Sequence, residues 1–494
     1  MTMKKYNLIF VGFLMLSSFL KAETYNLDLQ QSIAIAKEKS YSMLNLEKDF
    51  EIAEYRLKEA KSRLKTHIDL NFVLPQYSQK ITEDRTSTSV TYFSSKTLDY
   101  RTYLTISQPL PTDGLLYVRT GVGNENDYTL NESHPNLYTT VGFTQPLQSI
   151  YGYNEIKSSL KLAELNYEKS KKELKREELN LIYQVSSSFY NLLYEQKGTE
   201  ISRANLDRQK EAYDISQSKY TAGLIKEVDA LQMEVDLAEA QNNYDLAIVS
   251  LANSHNGFKQ LLGINFSDSV IIKNEFKYSI VIIDPDMAVK LALENRLEIR
   301  EQEINIEQSK LNVKKEKSNG MIQSAIDLSY GNNGIYKQPI NSSVSSSISN
   351  VYQAYLNSPG FGIGLTVRVP ILDFGENRAK VNAAKTSLEK VILLKTETER
   401  GIEREVRNLV ANLNSSLKRL QLLEKNVVVA EKSFDITRQR FSDGDIDSQA
   451  LALELNRLNT AYNNHLRSYI DYQLMLSDIT RKTFYDFKKN EVIK

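Results

Sequence analysis

The chain has 494 residues, with 62 basic and 62 acidic side chains that cancel to zero net charge. That balance argues against nucleic acid as a ligand, because phosphate contacts need clustered Lys and Arg. Cysteine is absent, which excludes disulfides, thiolate metal sites, Cys nucleophiles and an acylated N-terminal Cys. The four histidines, His67, His134, His255 and His465, share no metal-ligand spacing, so neither a metal nor a cofactor is expected. No nucleophile motif, paired acid site or Gly-rich phosphate loop occurs, and most Asp and Glu fall on solvated helix faces. An exported enzyme is therefore not expected.

Residues 1–22 read as an export signal. Lys4 and Lys5 precede an apolar run from Leu8 to Leu20, and Ala22 is a plausible cleavage point. The run is about 13 residues, short of the roughly 20 needed to span a bilayer. No later stretch reaches that length. The exported chain is then periplasmic, secreted or inserted as a β-barrel.

The remainder is an internal repeat. Tyr220-Thr221-Ala222-Gly223 returns as Phe441-Ser442-Asp443-Gly444, and the same offset aligns Leu192 with Leu413, Tyr213 with Phe434 and Ala240 with Ala461. The first repeat, 23–264, is predicted to hold a helix at 28–66, strands within 67–147, a long helix at 153–219, a turn at 220–225 and a helix at 226–262. An inter-repeat linker at 265–284 carries β-like apolar runs at Val270 to Ile272 and Ile280 to Ile283. The second repeat, 285–484, holds a helix at 286–317, strands within 321–371, a long helix at 376–441, a turn at 442–446 and a helix at 447–484. A short tail, 485–494, follows.

The helices rest on heptad seams, such as Ile156, Leu160, Ala163, Tyr167, Leu174 and Leu181, continuing to Tyr220. No Pro interrupts residues 147–284, so the long helix would reach roughly 100 Å at about 1.5 Å per residue. Such seams keep helices nearly parallel, as in left-handed coiled coils. The strand segments alternate instead. Ile68, Leu70, Phe72 and Leu74 alternate with His67, Asp69, Asn71 and Val73, and Phe361, Ile363, Leu365 and Val367 with Gly362, Gly364 and Thr366. Alternation over about 9–11 residues is the pattern of a membrane-spanning β-strand. The polar stretches 78–97, 127–136 and 332–358 read as solvated loops. A few strands cannot close a barrel, so several copies must share one. The glycines at 223 and 444 allow tight chain reversals, and a Pro at the end of a strand stops the ladder because it lacks an N–H.

Several segments, in order and twice over, carry a family resemblance. Thr144-Gln145-Pro146-Leu147 precedes Gly152 and Asn154, and Val369-Pro370-Ile371-Leu372-Asp373-Phe374-Gly375 precedes Asn377 and Arg378. Tyr220 and Gly223 are followed by Asp229, Leu231, Leu237 and Ala240. Leu29 to Ala36 is echoed by Ala288 to Asn295, with Arg296 and Glu298. Over nearly all of the mature chain the sequence resembles the TolC-like outer-membrane channel proteins, also called outer-membrane factors. The resemblance implies an α+β membrane protein. Long heptad helices would form a periplasmic α-barrel, and β-strands would contribute to a transmembrane β-barrel shared by a homotrimer. It would stand in the outer membrane of a Gram-negative bacterium, in contact with outer-membrane lipid.

The implied function is the passive exit duct of a tripartite efflux or type I secretion system. Its implied partners are a periplasmic adaptor and an inner-membrane RND or ABC transporter. A β-barrel adhesin or receptor with a coiled-coil body is the other class considered, and it would not need matching turns in both repeats. The resemblance places the strand-to-helix transitions at Pro146, Gly152, Pro370 and Gly375. It places the tip turns and adaptor contact at Tyr220, Gly223, Phe441 and Gly444. Asp443, Asp445 and Asp447 crowd the second turn and Asp229 lies just after the first, so threefold symmetry would gather them as a carboxylate gate at the periplasmic entrance. Where some members latch the tip with a Tyr and an Arg, this chain has Phe441 and Ile446. Family members usually carry four strands per chain, but residues 99–108 and 115–123 would raise the count to six if both join the barrel.

Overall fold

A computed structural model describes residues 24–85, 89–273 and 277–493, so the expected signal segment and its cleavage point at Ala22 lie outside the described residues. In chain order the first repeat forms β1 (Thr24–Leu27), α1 (Leu29–Lys39), α2 (Tyr41–Ser62), β2 (His67–Arg85), β3 (Val90–Pro109), β4 (Leu115–Asp127), β5 (Glu132–Pro146), α3 (Gln148–Tyr151), α4 (Glu155–Thr221) and α5 (Glu227–Leu262). The strand β6 (Ser269–Ile272) stands between the repeats. The second repeat forms α6 (Pro285–Asn295), α7 (Leu297–Asn319), β7 (Gln323–Ile335), β8 (Gln338–Pro339), α8 (Val344–Leu356), β9 (Pro359–Arg368), α9 (Glu376–Asp443) and α10 (Ser448–Thr483). A small hairpin, β10 (Tyr485–Asp486) with β11 (Glu491–Val492), follows.

Two expected helices are each divided. The helix expected at 28–66 breaks at Ser40, which adopts an extended backbone at the end of α1. Its hydroxyl accepts the Met43 amide at 3.2 Å and so opens α2, the capping role that suits Ser poorly to a helix interior. The helix expected at 286–317 breaks at Arg296, also extended. The apolar run Ile280 to Ile283 is not a strand. Its backbone is strapped to α10 by tyrosines: the Val281 amide donates to the Tyr472 hydroxyl at 3.2 Å, which itself donates to the Ser279 carbonyl at 2.7 Å.

The chain forms two compact units, each assembled from both repeats. One comprises Met1–Asn45, Glu177–Glu294 and Glu405–Lys494; the other comprises Leu46–Arg176 and Asn295–Arg404. In the first unit β1 pairs in parallel with β6, and α1 opens on a capping box in which Asp28 and Gln31 satisfy each other's backbone amides.

The second unit holds an antiparallel sheet in the order β2-β3-β4-β5-β7-β9. The segments 99–108 and 115–123 both lie in it, so the sheet has six long strands. The expected loop 78–97 is largely strand, since β2 and β3 stay in register out to Arg85 opposite Val90. The loop expected at 127–136 is shorter than that, because β5 begins at Glu132. Directly paired residues share a face of a sheet. One face is apolar: Ile68, Leu70 and Phe72 lie beside Ile106, Leu104 and Thr102, these beside Val118, Thr120 and Val122, and then Val141, Thr139 and Leu137. The same face continues through Tyr330, Leu328 and Ile326 to Phe361, Ile363 and Leu365. The other face is polar and small, with Asp69, Thr105, Arg119, Thr140, Gly331 and Gly360 in one row. Arg119 stands over the rings of Tyr103 and Tyr117 at 5.4 and 5.8 Å.

In the same unit Arg300 of α7 joins elements of both repeats. It donates to both oxygens of Glu168 on α4 at 2.7 and 3.0 Å, and Lys395 of α9 reaches the neighbouring Glu303 at 3.3 Å. The paired guanidinium holds the Glu168 carboxyl below the usual range. Among the described residues no helix is long and apolar enough to cross a membrane.

Candidate functional site

Two sets of residues carry the sequence expectations. The first is the pair of hairpin turns in the unit that holds residues 177–294 and 405–494. Both close in the same way. The Gly223 amide donates to the Tyr220 carbonyl and the Leu224 amide to that of Lys219; the Gly444 amide donates to Phe441 and the Asp445 amide to Arg440. This is a Schellman closure, which needs a left-handed residue. Gly223 and Gly444 supply it, with φ of 73° and 89°. A Cβ would meet nothing within 4 Å at either position, so the backbone angle alone demands glycine.

The four aspartates divide by role. Asp447 is the N-cap of α10, its carboxylate accepting the Ala450 amide at 2.9 Å. Asp229 sits in the first turn of α5, where a negative charge favours the helix dipole. Asp443 ends α9, Asp445 follows Gly444, and both are exposed. Tyr220 is partly exposed. Phe441 differs from the expected contact role because it is 1 % exposed. It packs in a core with Ala212, Met233, Phe434, Leu451, Leu455 and Leu458, so it presents no surface.

A contact that sequence reasoning missed joins the two hairpins. Lys219 Nζ stands 4.5 Å from the centre of the Phe441 ring and donates to the Phe441 carbonyl. One ammonium thus ties the end of α4 to the end of α9. Nearby, Asn459 donates to Asn205 at 2.5 Å, and the Tyr462 hydroxyl to Glu431 at 2.6 Å.

The second set is the strand-to-helix junctions, in the other unit. Pro146 ends β5, yet pairing continues one residue further, because the Leu147 amide donates to the Ser324 carbonyl at 2.7 Å. Gly152 ends the short α3, and a Cβ there would lie 2.9 Å from the Gln148 carbonyl. Pro370 is not a ladder residue, since β9 has already stopped at Arg368. The turn into α9 is made instead by Asp373, whose carboxylate accepts the amides of Gly375 and Asn377 at 2.9 and 3.0 Å. Those two amides hold the Asp373 carboxyl below the usual range.

The hairpin turn between β3 and β4 is built into the first junction. Asp113, left-handed at φ 63°, accepts the Glu155 and Ile156 amides at 2.7 and 2.8 Å and so caps α4. Gln145 donates to the Thr112 carbonyl at 2.7 Å and accepts the Thr112 hydroxyl at 2.7 Å. Asp113→Ala removes a cap worth about 0.5–2 kcal/mol and leaves a Cβ in the left-handed region without the local hydrogen bonds that ease Asp into it. Asp113→Gly keeps the turn and loses only the cap. Thermal unfolding of the two variants is expected to place Asp113→Ala lower.

The first set is a pair of matching helix hairpins in one unit, and the second lies at the margin of a two-faced open sheet in the other. The outer membrane efflux protein family matches residues 46–264 and 288–468, one match per repeat, and the chain belongs to that family. Solved structures agree on the fold. The Campylobacter jejuni CmeC outer membrane channel is 14% identical, covering 99% of this chain and 96% of its own, at a TM-score of 0.68. The outer membrane protein VceC of Vibrio cholerae is 13% identical, covering 93% and 95%, at 0.67. The Neisseria gonorrhoeae MtrE outer membrane channel, in its open state, is 14% identical, covering 94% and 90%, at 0.65. No curated protein matches the chain by sequence.

Proposed function

We propose that this outer-membrane efflux channel is a homotrimer and the passive exit duct of a tripartite system. It takes substrates from a periplasmic adaptor and an inner-membrane RND or ABC transporter to the outside of a Gram-negative cell. The observation that carries this reading is the open sheet. Its edge strands, β2 and β9, have no partner strand among the described residues, and both carry exposed apolar rows such as Ile68, Leu70 and Phe72 and Phe361, Ile363 and Leu365. A sheet in lipid has to satisfy its edges, and pairing β9 of one copy with β2 of the next does so. Three copies of six strands make an eighteen-stranded barrel, in the size class of the roughly 16–18-stranded porins that enclose an aqueous channel.

The helices support the same reading. Val228, Leu231 and Val235 of α5 are exposed at heptad spacing, as are Leu422, Val429 and Ile436 of α9. Two such stripes on one chain suit a head-to-tail ring of copies. Light scattering of the detergent-purified chain should give the mass of a trimer. A monodisperse monomer would sink the assembly.

The aspartates at the turns would gather twelve carboxylates, four from each of three copies, at the periplasmic mouth. Clustered negative charge raises the local cation concentration and repels anions. In planar bilayers, replacing Asp443, Asp445 and Asp447 together by Asn is expected to lower cation selectivity and weaken block by multivalent cations. Asn still caps a helix well, so the turn itself survives. Unchanged selectivity would leave these residues with turn and capping roles alone.

A further inference from the structure

The stretch 332–358, expected as a solvated loop, contains the helix α8, and its position on the sheet is informative. The Asn332 side-chain amide donates to the Tyr355 carbonyl at 2.8 Å. A Cβ on Gly334 would lie 2.2 Å from the Tyr355 amide nitrogen and 2.6 Å from the Val351 carbonyl, so the helix backbone rests directly on that glycine. Gly334 pairs with Leu137, which pairs with Val122. Both belong to the apolar face. The helix therefore lies on the face of the sheet that a membrane barrel turns toward lipid, near the strand ends farthest in sequence from the long helices.

Its side chains are those of a helix at a lipid boundary. Val351 is buried toward the sheet, while Val344, Ile348, Tyr352 and Leu356 recur every four residues and are 76, 66, 51 and 49 % exposed. Ser346, Asn350 and Gln353 make the opposite side polar. No charged residue occurs between Lys337 and Arg368. The β2–β3 hairpin at the same end of the sheet carries Lys80, Glu83 and Lys96, as a water-facing segment does. Tyr352 and Tyr355 stack at 6.5 Å, and tyrosine favours the level where apolar and polar regions of a bilayer meet.

We infer that α8 is an interfacial helix. It lays Val344, Ile348, Tyr352 and Leu356 into the acyl–headgroup boundary of the outer leaflet, as an uncharged collar on the rim of the barrel. The occupant is lipid because the stripe continues the apolar face beneath it, and a contiguous apolar patch of this kind needs a cover. The inference rests on the membrane-barrel reading, and the test separates the two.

The chain has no Trp, so one introduced Trp is a clean reporter. Full-length Ile348→Trp, Tyr352→Trp, Ser346→Trp and Val141→Trp are reconstituted into phosphatidylcholine vesicles brominated on the acyl chain close to the headgroup. Val141 lies on the apolar face of the central strand β5 and reports the barrel itself. Quenching of Ile348→Trp and Tyr352→Trp by bromolipid is expected to exceed that of Ser346→Trp about twofold or more, with iodide in the water showing the reverse order. If Val141→Trp is quenched while the two α8 reporters are reached by iodide alone, α8 stands in water and the inference is wrong. If they are reached by neither quencher, protein covers the stripe and the inference is equally wrong. If Val141→Trp is not quenched either, the barrel reading fails and takes the helix with it.

Discussion

Phe441→Ala is expected to loosen the hairpin end of the protein. The ring is almost fully buried among Met233, Phe434 and three leucines of α10, and deleting a buried Phe side chain costs about 3–5 kcal/mol. The cost spreads further, because Lys219 loses the ring beneath its ammonium. Amide hydrogen exchange should accelerate in both hairpins, around residues 212–233 and 434–458 alike. Phe441→Leu keeps most of the volume and should cost about 1.5 kcal/mol or less. Lys219→Met keeps the apolar stem and removes the charge together with its hydrogen bond to the Phe441 carbonyl, the contact with the ring alone being worth about 0.5–2 kcal/mol. Amide hydrogen exchange at the ends of α4 and α9 is expected to rise with little change in overall stability. Acceleration confined to one hairpin in Phe441→Ala would mean that the two are not coupled.

Val429→Glu is expected to abolish assembly. The side chain is 65 % exposed in the single chain, in line with Leu422 and Ile436. In a closed ring the substitution recurs at every interface, and each buried unpaired carboxylate costs several kcal/mol. Val429→Leu preserves the stripe and should assemble normally. Native mass spectrometry in detergent distinguishes monomer from trimer directly. Val429→Glu that remains trimeric would show that this stripe lies outside the interface.

The periodic parts of the fold were legible in the sequence. The seam from Ile156 to Tyr220 folds as the single helix α4, because an apolar residue every three or four positions has only one backbone that aligns it. The break at Ser40 was not legible, since Met43, Leu46 and Phe50 continue the seam around it and a single hydroxyl makes the cap. Residues 78–97 looked like a loop because they lack an apolar face. The backbone pairs all the same, as a strand end clear of hydrocarbon needs no such face. Lys219 and Phe441 are far apart in sequence, so nothing local marked them as partners. The repeat offset did place their helix ends at equivalent positions, which was the available signal. For α8 the signal was present: Val344, Ile348, Tyr352 and Leu356 are spaced as a helix stripe, but the serines from Ser342 to Ser349 drew the reading toward a loop.

The two unpaired edges of the six-stranded sheet have a consequence for how the protein comes into being. A lone copy carries two sticky ladders of backbone donors and acceptors, each flanked by apolar side chains. Such edges join whatever strand they meet first. Completion of the fold and recognition of siblings are then one event, and stability becomes a property of concentration. The melting temperature of the purified channel should rise with protein concentration. In the cell, a scarcity of copies would leave aggregates or protease fragments in place of soluble monomers awaiting partners.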